Sequence, residues 1–214
     1  MSELSSTYVK LIESGSPSSQ SASAHPTTSE LEQEKALVSR LLDGDEAAFD
    51  ELYQRYVPCL FRSIYYSLNG DQNDAEDVLQ ETMLAAMQSL RRFRGESSLS
   101  TWLHAIARYK TSDQIRQRQR VRNHQVEEET ADLELKDLAT LPEELVTQRS
   151  AVEAALRALP QDHREVLLGK YLDGFSVREL SSIMGRSEKA VESLLTRARE
   201  AFRACLENVT SEGN

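Results

Sequence analysis

The sequence predicts an all-α fold: two small helical domains joined by an acidic, flexible linker. Three observations predict it. Apolar residues recur at three- and four-residue spacing through most of the chain, and no segment alternates apolar with polar residues as a half-buried strand would. The length of 214 residues suits one or two compact domains, which commonly hold about 100 to 150 residues each. Between the periodic stretches lies an acidic run, Glu127, Glu128, Glu129, Asp132, Glu134 and Asp137, followed by Pro142. Hydrophobic content of 39% against 28% charged residues provides enough apolar surface for modest cores and excludes wholesale disorder.

The elements follow in order. Residues 1–30 read as a disordered leader, because Ser14 to Ser29 is rich in Ser, Ala, Thr and Pro with nothing periodic to bury. The first domain spans residues 31–122. Ala36, Leu37 and Leu41 mark a helix, and Asp43-Gly44-Asp45 a turn and N-cap before the stripe of Ala48, Phe49, Leu52, Tyr53 and Tyr56. Pro58 can open a further helix, whose Leu60, Phe61, Ile64, Tyr65 and Leu68 run to a stop at Asn69-Gly70. Asp74 starts a helix ending near Leu90; a loop from Phe93 to Ser98 leads to a long helix from about Ser100 to Arg120. The linker takes residues 123–148, and the second domain residues 149–207. In that domain a helix from about Ser150 to Leu159 is broken by Pro160, and another from Asp162 to Leu172 ends at the turn Asp173-Gly174-Phe175. Two more helices precede a tail at residues 208–214.

A net charge of −10 is unfavourable for binding nucleic acid, but phosphate contact depends on local cations rather than on the total. Arg91, Arg92, Arg94, Arg108, Lys110, Arg116, Arg118, Arg120 and Arg122 fall in one stretch whose only acids are Glu96 and Asp113. Either block alone could be a solvated face; the abrupt switch to the acidic run favours two electrostatic roles. No apolar stretch approaches the roughly 20 residues of a membrane span, and Met1 to Lys10 lacks a signal-peptide core, so a cytoplasmic protein is expected. Cys59 and Cys205 sit in apolar helical patterns and read as inert core thiols. There is no phosphate-cradling glycine loop, no HExxH pair and no nucleophile elbow, and His25, His104, His124 and His163 are scattered. No catalytic residue, metal site or cofactor is therefore expected, and the chain does not read as an enzyme.

The last two helices carry the most specific local signal. Ser176-Val177-Arg178-Glu179 fits a capping box, and Val177, Leu180, Ile183 and Met184 form the buried stripe of a short helix. Gly185-Arg186-Ser187 supplies a tight turn, with Ser187 able to cap the next helix. There Val191, Leu194, Leu195, Ala198 and Phe202 share one face and Lys189, Ser193 and Arg197 the other. A recognition helix needs this division, because its first turns enter the major groove while Arg186, Arg199 and Arg203 can hold phosphates beside it. An ordinary helical hairpin could show the same exposed cations; the capping box, turn and basic face together point to DNA.

Asp74-Ala75-Glu76-Asp77-Val78-Leu79-Gln80-Glu81-Thr82 resembles the polymerase-binding signature of extracytoplasmic-function sigma factors. Phe93-Arg94-Gly95-Glu96-Ser97-Ser98 with Thr101-Trp102-Leu103 and Ile106-Ala107-Arg108 is similar to their promoter-melting segment. Leu159-Pro160, Arg164 to Leu168 and Tyr171 to Ser176 resemble their promoter-upstream module. The resemblance covers roughly Glu34 to Leu206 and implies a sigma-2 helical bundle and a sigma-4 helix-turn-helix.

It implies binding to core RNA polymerase, at the largest-subunit clamp helices through Asp74, Asp77, Gln80 and Glu81, and at the flap. Acids at a helix start also suit the helix dipole, so Asp74 has a structural reading too. It implies minus-ten promoter contacts by Arg94, Ser97, Ser98, His104, Arg108, Tyr109, Ser112, Arg116 and Arg120, the loop capturing a base flipped from the non-template strand. Minus-thirty-five contacts fall to Arg186, Ser187, Lys189, Ser193, Arg197 and Arg199. His104, Arg108, Thr111 and Ile115 are expected on the outer side of their helix, and Trp102 in the core rather than as a stacking platform. Tyr109 departs from the family, which usually carries asparagine there; its ring either packs on the loop or stacks on a base. The acidic linker is either a spacer or a mimic of nucleic acid in a polymerase channel. An anti-sigma factor is a further expected partner. The rival reading is a stand-alone helix-turn-helix regulator with a helical sensor domain.

Overall fold

A computed structural model of the chain describes residues 28–124 and 143–212. Eight α-helices account for nearly all of them, with no strand among the described residues. Two compact units result. The first holds α1 (Thr28–Leu42), α2 (Glu46–Ser67), α3 (Gln72–Ser89) and α4 (Leu99–His124); the second is built on α5 (Glu143–Ala158), α6 (Gln161–Leu167) and α8 (Glu188–Glu212). Between α6 and α8 in the chain comes α7 (Val177–Met184).

In the first unit, α2, α3 and α4 pack mutually and α1 lies on α2. Asp45 caps α2 by accepting the Ala47 N–H at 2.9 Å. Contrary to expectation, Pro58 opens no helix: α2 runs through it for 22 residues. The stripe explains this, because Leu52, Tyr56, Leu60 and Ile64 stay four residues apart across the proline and all are buried. Burying four side chains at roughly 1.5 to 3 kcal/mol each outweighs the roughly 3 kcal/mol that a proline costs inside a helix. Asn69 and Gly70 end α2 at positive φ, 61° and 86°, as the stop signal predicts. Asp71, not Asp74, then caps α3, accepting the Asp74 N–H at 3.0 Å.

In the second unit, α5 and α6 pack along α8 over a core of Val152, Leu156, Val166, Leu167, Leu194 and Phe202. Arg164 is buried and donates to the carbonyls of Leu156, Arg157 and Leu159 at 2.8 to 3.0 Å, which satisfies the open end of α5. Burial pushes its guanidinium below the ordinary value. The expected helix to Leu172 changes hand-over: α6 ends at Leu167 and a π turn takes Leu168–Leu172. There Gly169 lies so close to Leu180 that an added Cβ would sit 2.6 Å from its Cδ2, so the π turn seats α7.

The expected boundaries shift at their edges. α1 takes residues 28–30 of the expected leader, and the rest of it lies outside the described residues. α4 and α5 take residues 123–124 and 143–148 of the expected linker; residues 125–142 lie outside the description. α8 runs through most of the expected tail, to Glu212. Cys59 is exposed, which corrects the expectation of a core thiol.

Candidate nucleic-acid interface

The capping box forms as predicted. The Glu179 N–H donates to Ser176 Oγ at 3.2 Å, and Glu179 Oε2 accepts the Ser176 N–H at 2.9 Å. Gly185 takes φ +62° in the turn, a conformation that costs a side chain 1 to 2 kcal/mol or so. Ser187 then caps α8, accepting the Ala190 N–H at 3.3 Å. On α8, Val191, Leu194, Leu195, Ala198 and Phe202 are all buried, while Lys189, Ser193 and Arg197 are exposed. Arg186 is ion-paired with Asp162 of α6. Arg199, expected beside the groove, is turned onto Tyr171, donating to its hydroxyl at 2.6 Å with the guanidinium 5.8 Å from the ring centroid.

In the first unit, α3 buries Ala75, Val78, Thr82 and Ala86 and exposes Asp77, Gln80 and Glu81. Asp74 is the exception: only 13% of its side chain is exposed, and it pairs with Arg118 of α4. Arg118 also holds Asp71 at 2.6 Å, and Lys110 reaches Glu81 at 3.0 Å. Burial would raise the Asp71 carboxyl, but the Arg118 hydrogen bond and the Asp74 N–H outweigh it and hold it below the ordinary value. Sequence reasoning missed Arg118 as a bridging residue. The signal was present: Asp74 and Glu81, like Lys110 and Arg118, stand about two helical turns apart, as an antiparallel pair of helices requires.

The loop before α4 begins with Phe93 packed on Trp102, ring centroids 5.4 Å apart, and Trp102 itself rests on the core. Ser98 caps α4, accepting the Thr101 N–H at 3.1 Å, while Arg94 stands in solvent with 81% of its side chain exposed. Ser97 is half-buried. His104 is buried rather than outward, its Nδ1 2.9 Å from the Ser100 carbonyl; Thr111 is also buried and Ile115 rests on the core. The cause is that α4 is packed against both α2 and α3, so that more than one of its sides is covered. Arg108 and Ser112 are half-buried; Arg116 and Arg120 are exposed, Arg116 being paired with Asp113. Tyr109 is 62% exposed, so its ring does not pack on the loop. No metal-binding cluster and no helix long and apolar enough to cross a membrane occur among the described residues.

A capped helix-turn-helix that exposes Lys189, Ser193 and Arg197 and, in the other unit, a bundle joining an acidic helix to a basic one are features of a two-domain DNA-binding protein. Comparison with known proteins narrows this. Residues 52–121 match the family model of Sigma-70 region 2 and residues 149–202 that of Sigma-70 region 4. The chain is 31% identical over 173 residues to the ECF RNA polymerase sigma factor SigX of Bacillus subtilis, covering 78% of this chain and 88% of that protein. It is 30% identical to the RNA polymerase sigma-H factor of Pseudomonas aeruginosa, covering 85% of this chain and 97% of that one. The sigma factor RpoE of Bartonella quintana, solved in complex with the anti-sigma factor NepR, superposes with a TM-score of 0.61 at 25% identity over 74% of this chain and 96% of its own. CnrH, solved in complex with the cytosolic domain of CnrY, gives 0.60 at 27% identity over 82% and 97%. The chain belongs to the extracytoplasmic-function sigma factors of RNA polymerase and directs transcription initiation. Both domains, not the helix-turn-helix alone, are shared with these relatives, which removes the stand-alone regulator.

Proposed function

We propose that the chain acts on a promoter only as part of the polymerase, as a specificity subunit with no chemistry of its own. Asp77, Gln80 and Glu81 on the exposed side of α3 dock on the clamp helices of the largest subunit, and the second unit meets the flap. The loop at 93–98 receives a base turned out from the non-template strand of the minus-ten element, whose unstacking costs a few kcal/mol that contacts must recover. Arg94 and Ser97 offer polar groups to that base. Arg108, Ser112, Arg116 and Arg120 follow the backbone, and the exposed Tyr109 ring offers a stacking surface where the family usually has an amide. Ser98 contributes by shaping the loop end, and His104 contributes from inside the helix bundle.

α8 reads the minus-thirty-five element with Lys189, Ser193 and Arg197, while Arg186 exchanges Asp162 for a phosphate. Ser187 sets the entry of the helix, and Arg199 reaches the backbone from its seat on Tyr171. An anti-sigma factor of the kind solved with RpoE is the expected regulator, and the cytoplasm, where the polymerase works, the expected location. The observation that carries this reading is the polarity of α8: Val191, Leu194, Leu195, Ala198 and Phe202 are buried, while Lys189, Ser193 and Arg197 are exposed among the polar side chains of its outer side, which also include Glu188 and Glu192.

Run-off transcription with purified core polymerase tests it. Wild type should initiate at a defined promoter without another specificity subunit. Lys189→Ala with Arg197→Ala should reduce initiation about tenfold or more, since each good base contact discriminates by roughly 1 to 3 kcal/mol, with core binding unchanged. Full activity of the double variant at every promoter tried would refute the assignment of α8.

A further inference from the structure

The helix that precedes the matched family region makes an unexpected contact with the promoter-melting loop. α1 lies outside residues 52–121, yet it lies against the short 3₁₀ turn Leu90–Arg92 that leads into the loop. Glu34, on α1, is a carboxylate with only 5% of its surface exposed. Its Oε2 accepts the backbone N–H of Leu99 at 2.8 Å, across 65 residues of chain, and its Oε1 accepts the Tyr56 hydroxyl at 3.2 Å. Leu99 is the first residue of α4 and wholly buried, so water cannot replace that acceptor. The next residue of α1 reinforces the contact: Lys35 lays its stem over Gly95, and an added Cβ there would come within 2.9 Å of the lysine Cε.

The loop is thus fixed by α1 at two points, in its middle and at the peptide where it becomes α4. Burial pushes the Tyr56 phenol well above its ordinary value, with the neighbouring Glu34 carboxylate adding to the shift, so the hydroxyl keeps its proton for this bond. A buried carboxylate is costly to maintain unless its hydrogen bonds do something that an apolar side chain could not. Here they complete the N-terminus of the helix, whose first N–H groups have no partner within it.

We infer that α1 braces the strand-capturing loop and that Glu34 is the positioning residue that sets its geometry for the flipped base. This rests on the reading of residues 93–98 as the capture loop. Glu34 touches no DNA; it holds the peptide at which the loop carrying Arg94 and Ser97 enters α4. Without it the Leu99 N–H is orphaned, the first turn of α4 frays, and the loop samples several geometries.

The test uses holoenzyme reconstituted from core polymerase and the full chain. The probes are single-stranded non-template oligonucleotides, each abasic at one position of the minus-ten element. Wild type should lose about tenfold in affinity at one position, the value of a captured base. Glu34→Ala should flatten that loss to about twofold or less, because an unpaired buried donor costs enough to release the loop. Glu34→Gln, whose amide oxygen can still accept from Leu99, should retain the selectivity. Leu60→Ala, which empties part of the core but removes no bond to α4, should also retain it, separating positioning from general destabilisation. Should Glu34→Ala fail to assemble with core, Tyr56→Phe removes one of the two bonds and should lower the selectivity about threefold. Position-specific loss in wild type that survives unchanged in the Glu34→Ala or Tyr56→Phe holoenzyme overturns the role of Glu34 alone. No position-specific loss in wild type overturns the capture-loop reading and this inference with it.

Discussion

Arg118 takes an acid out of a surface where its place in the motif would otherwise put it. Asp74 heads the acidic signature of α3, but its carboxylate is turned to Arg118, as is that of Asp71. Burial alone would lower the Arg118 guanidinium; the two carboxylates raise it instead, so the clasp stays charged. The consequence for pH has a definite sign. Asp71 ionises more readily in the folded chain than its ordinary value of 3.8, so its contribution to stability is full above that value and is lost as pH falls through the lower, folded one. Asp71→Asn, which keeps an N-cap acceptor but loses the charge, should therefore be less stable than wild type at neutral pH, by about 1 kcal/mol or less for a partly exposed pair. Urea unfolding followed at both ends of the range should show that gap closing below pH 4 or so. A gap that is constant with pH would mean that the cap geometry, not the charge, does the work. Such partnerships were only partly legible beforehand: the dipole reading of Asp74 was available from its position, but pairing with Arg118 depends on the register of two helices. His104 was misplaced for a similar reason, since periodicity assigns one buried face and α4 has neighbours on more than one.

At the scale of elements, periodicity was a better guide than punctuation. Every helix of the first unit was foreseeable from its apolar spacing, yet Pro58 invited a break that α2 does not have. The stripe keeps its phase across the proline, and phase continuity is the stronger evidence, because burial of four residues exceeds one proline penalty. Pro58 is exposed, so the helix tolerates it at a cost in hydrogen bonding rather than in packing. Pro58→Ala should restore the missing N–H donor and stabilise the first unit by about 1 to 3 kcal/mol. Calorimetry or urea unfolding of the variant would measure this directly; destabilisation would mean that the proline ring makes a packing contribution its exposure does not suggest. At α5 the helix begins at Glu143, inside the stretch read as linker; Glu143 and Glu144 follow Pro142 directly, and acids suit the first turn of a helix.

Taken as a whole, the chain sets a net charge of −10 against exposed cations such as Arg116 and Arg120 on α4 and Lys189 and Arg197 on α8, and a DNA-binding protein with that balance needs a physical reason for it. The acids of residues 127–137 lie outside the described residues, so their role rests on sequence and electrostatics. Long-range attraction to DNA depends on the summed charge, whereas specific contact depends on local side chains, which the proposed reading places on α4 and α8. An acidic segment therefore lowers binding to arbitrary duplex without weakening contacts made at close range on a polymerase-bound promoter. The expectation that follows is a free chain that is not titrated by the excess of non-promoter DNA. Replacing Glu127, Glu128, Glu129, Asp132, Glu134 and Asp137 by their amides should raise the affinity of the isolated chain for random duplex at least about tenfold at low salt, with the difference shrinking as salt rises past the Debye regime. Fluorescence anisotropy across a salt series would measure it. Unchanged affinity at every salt concentration would leave the segment as a spacer, and the acidic balance of the chain would then have no bearing on how the protein finds its promoter.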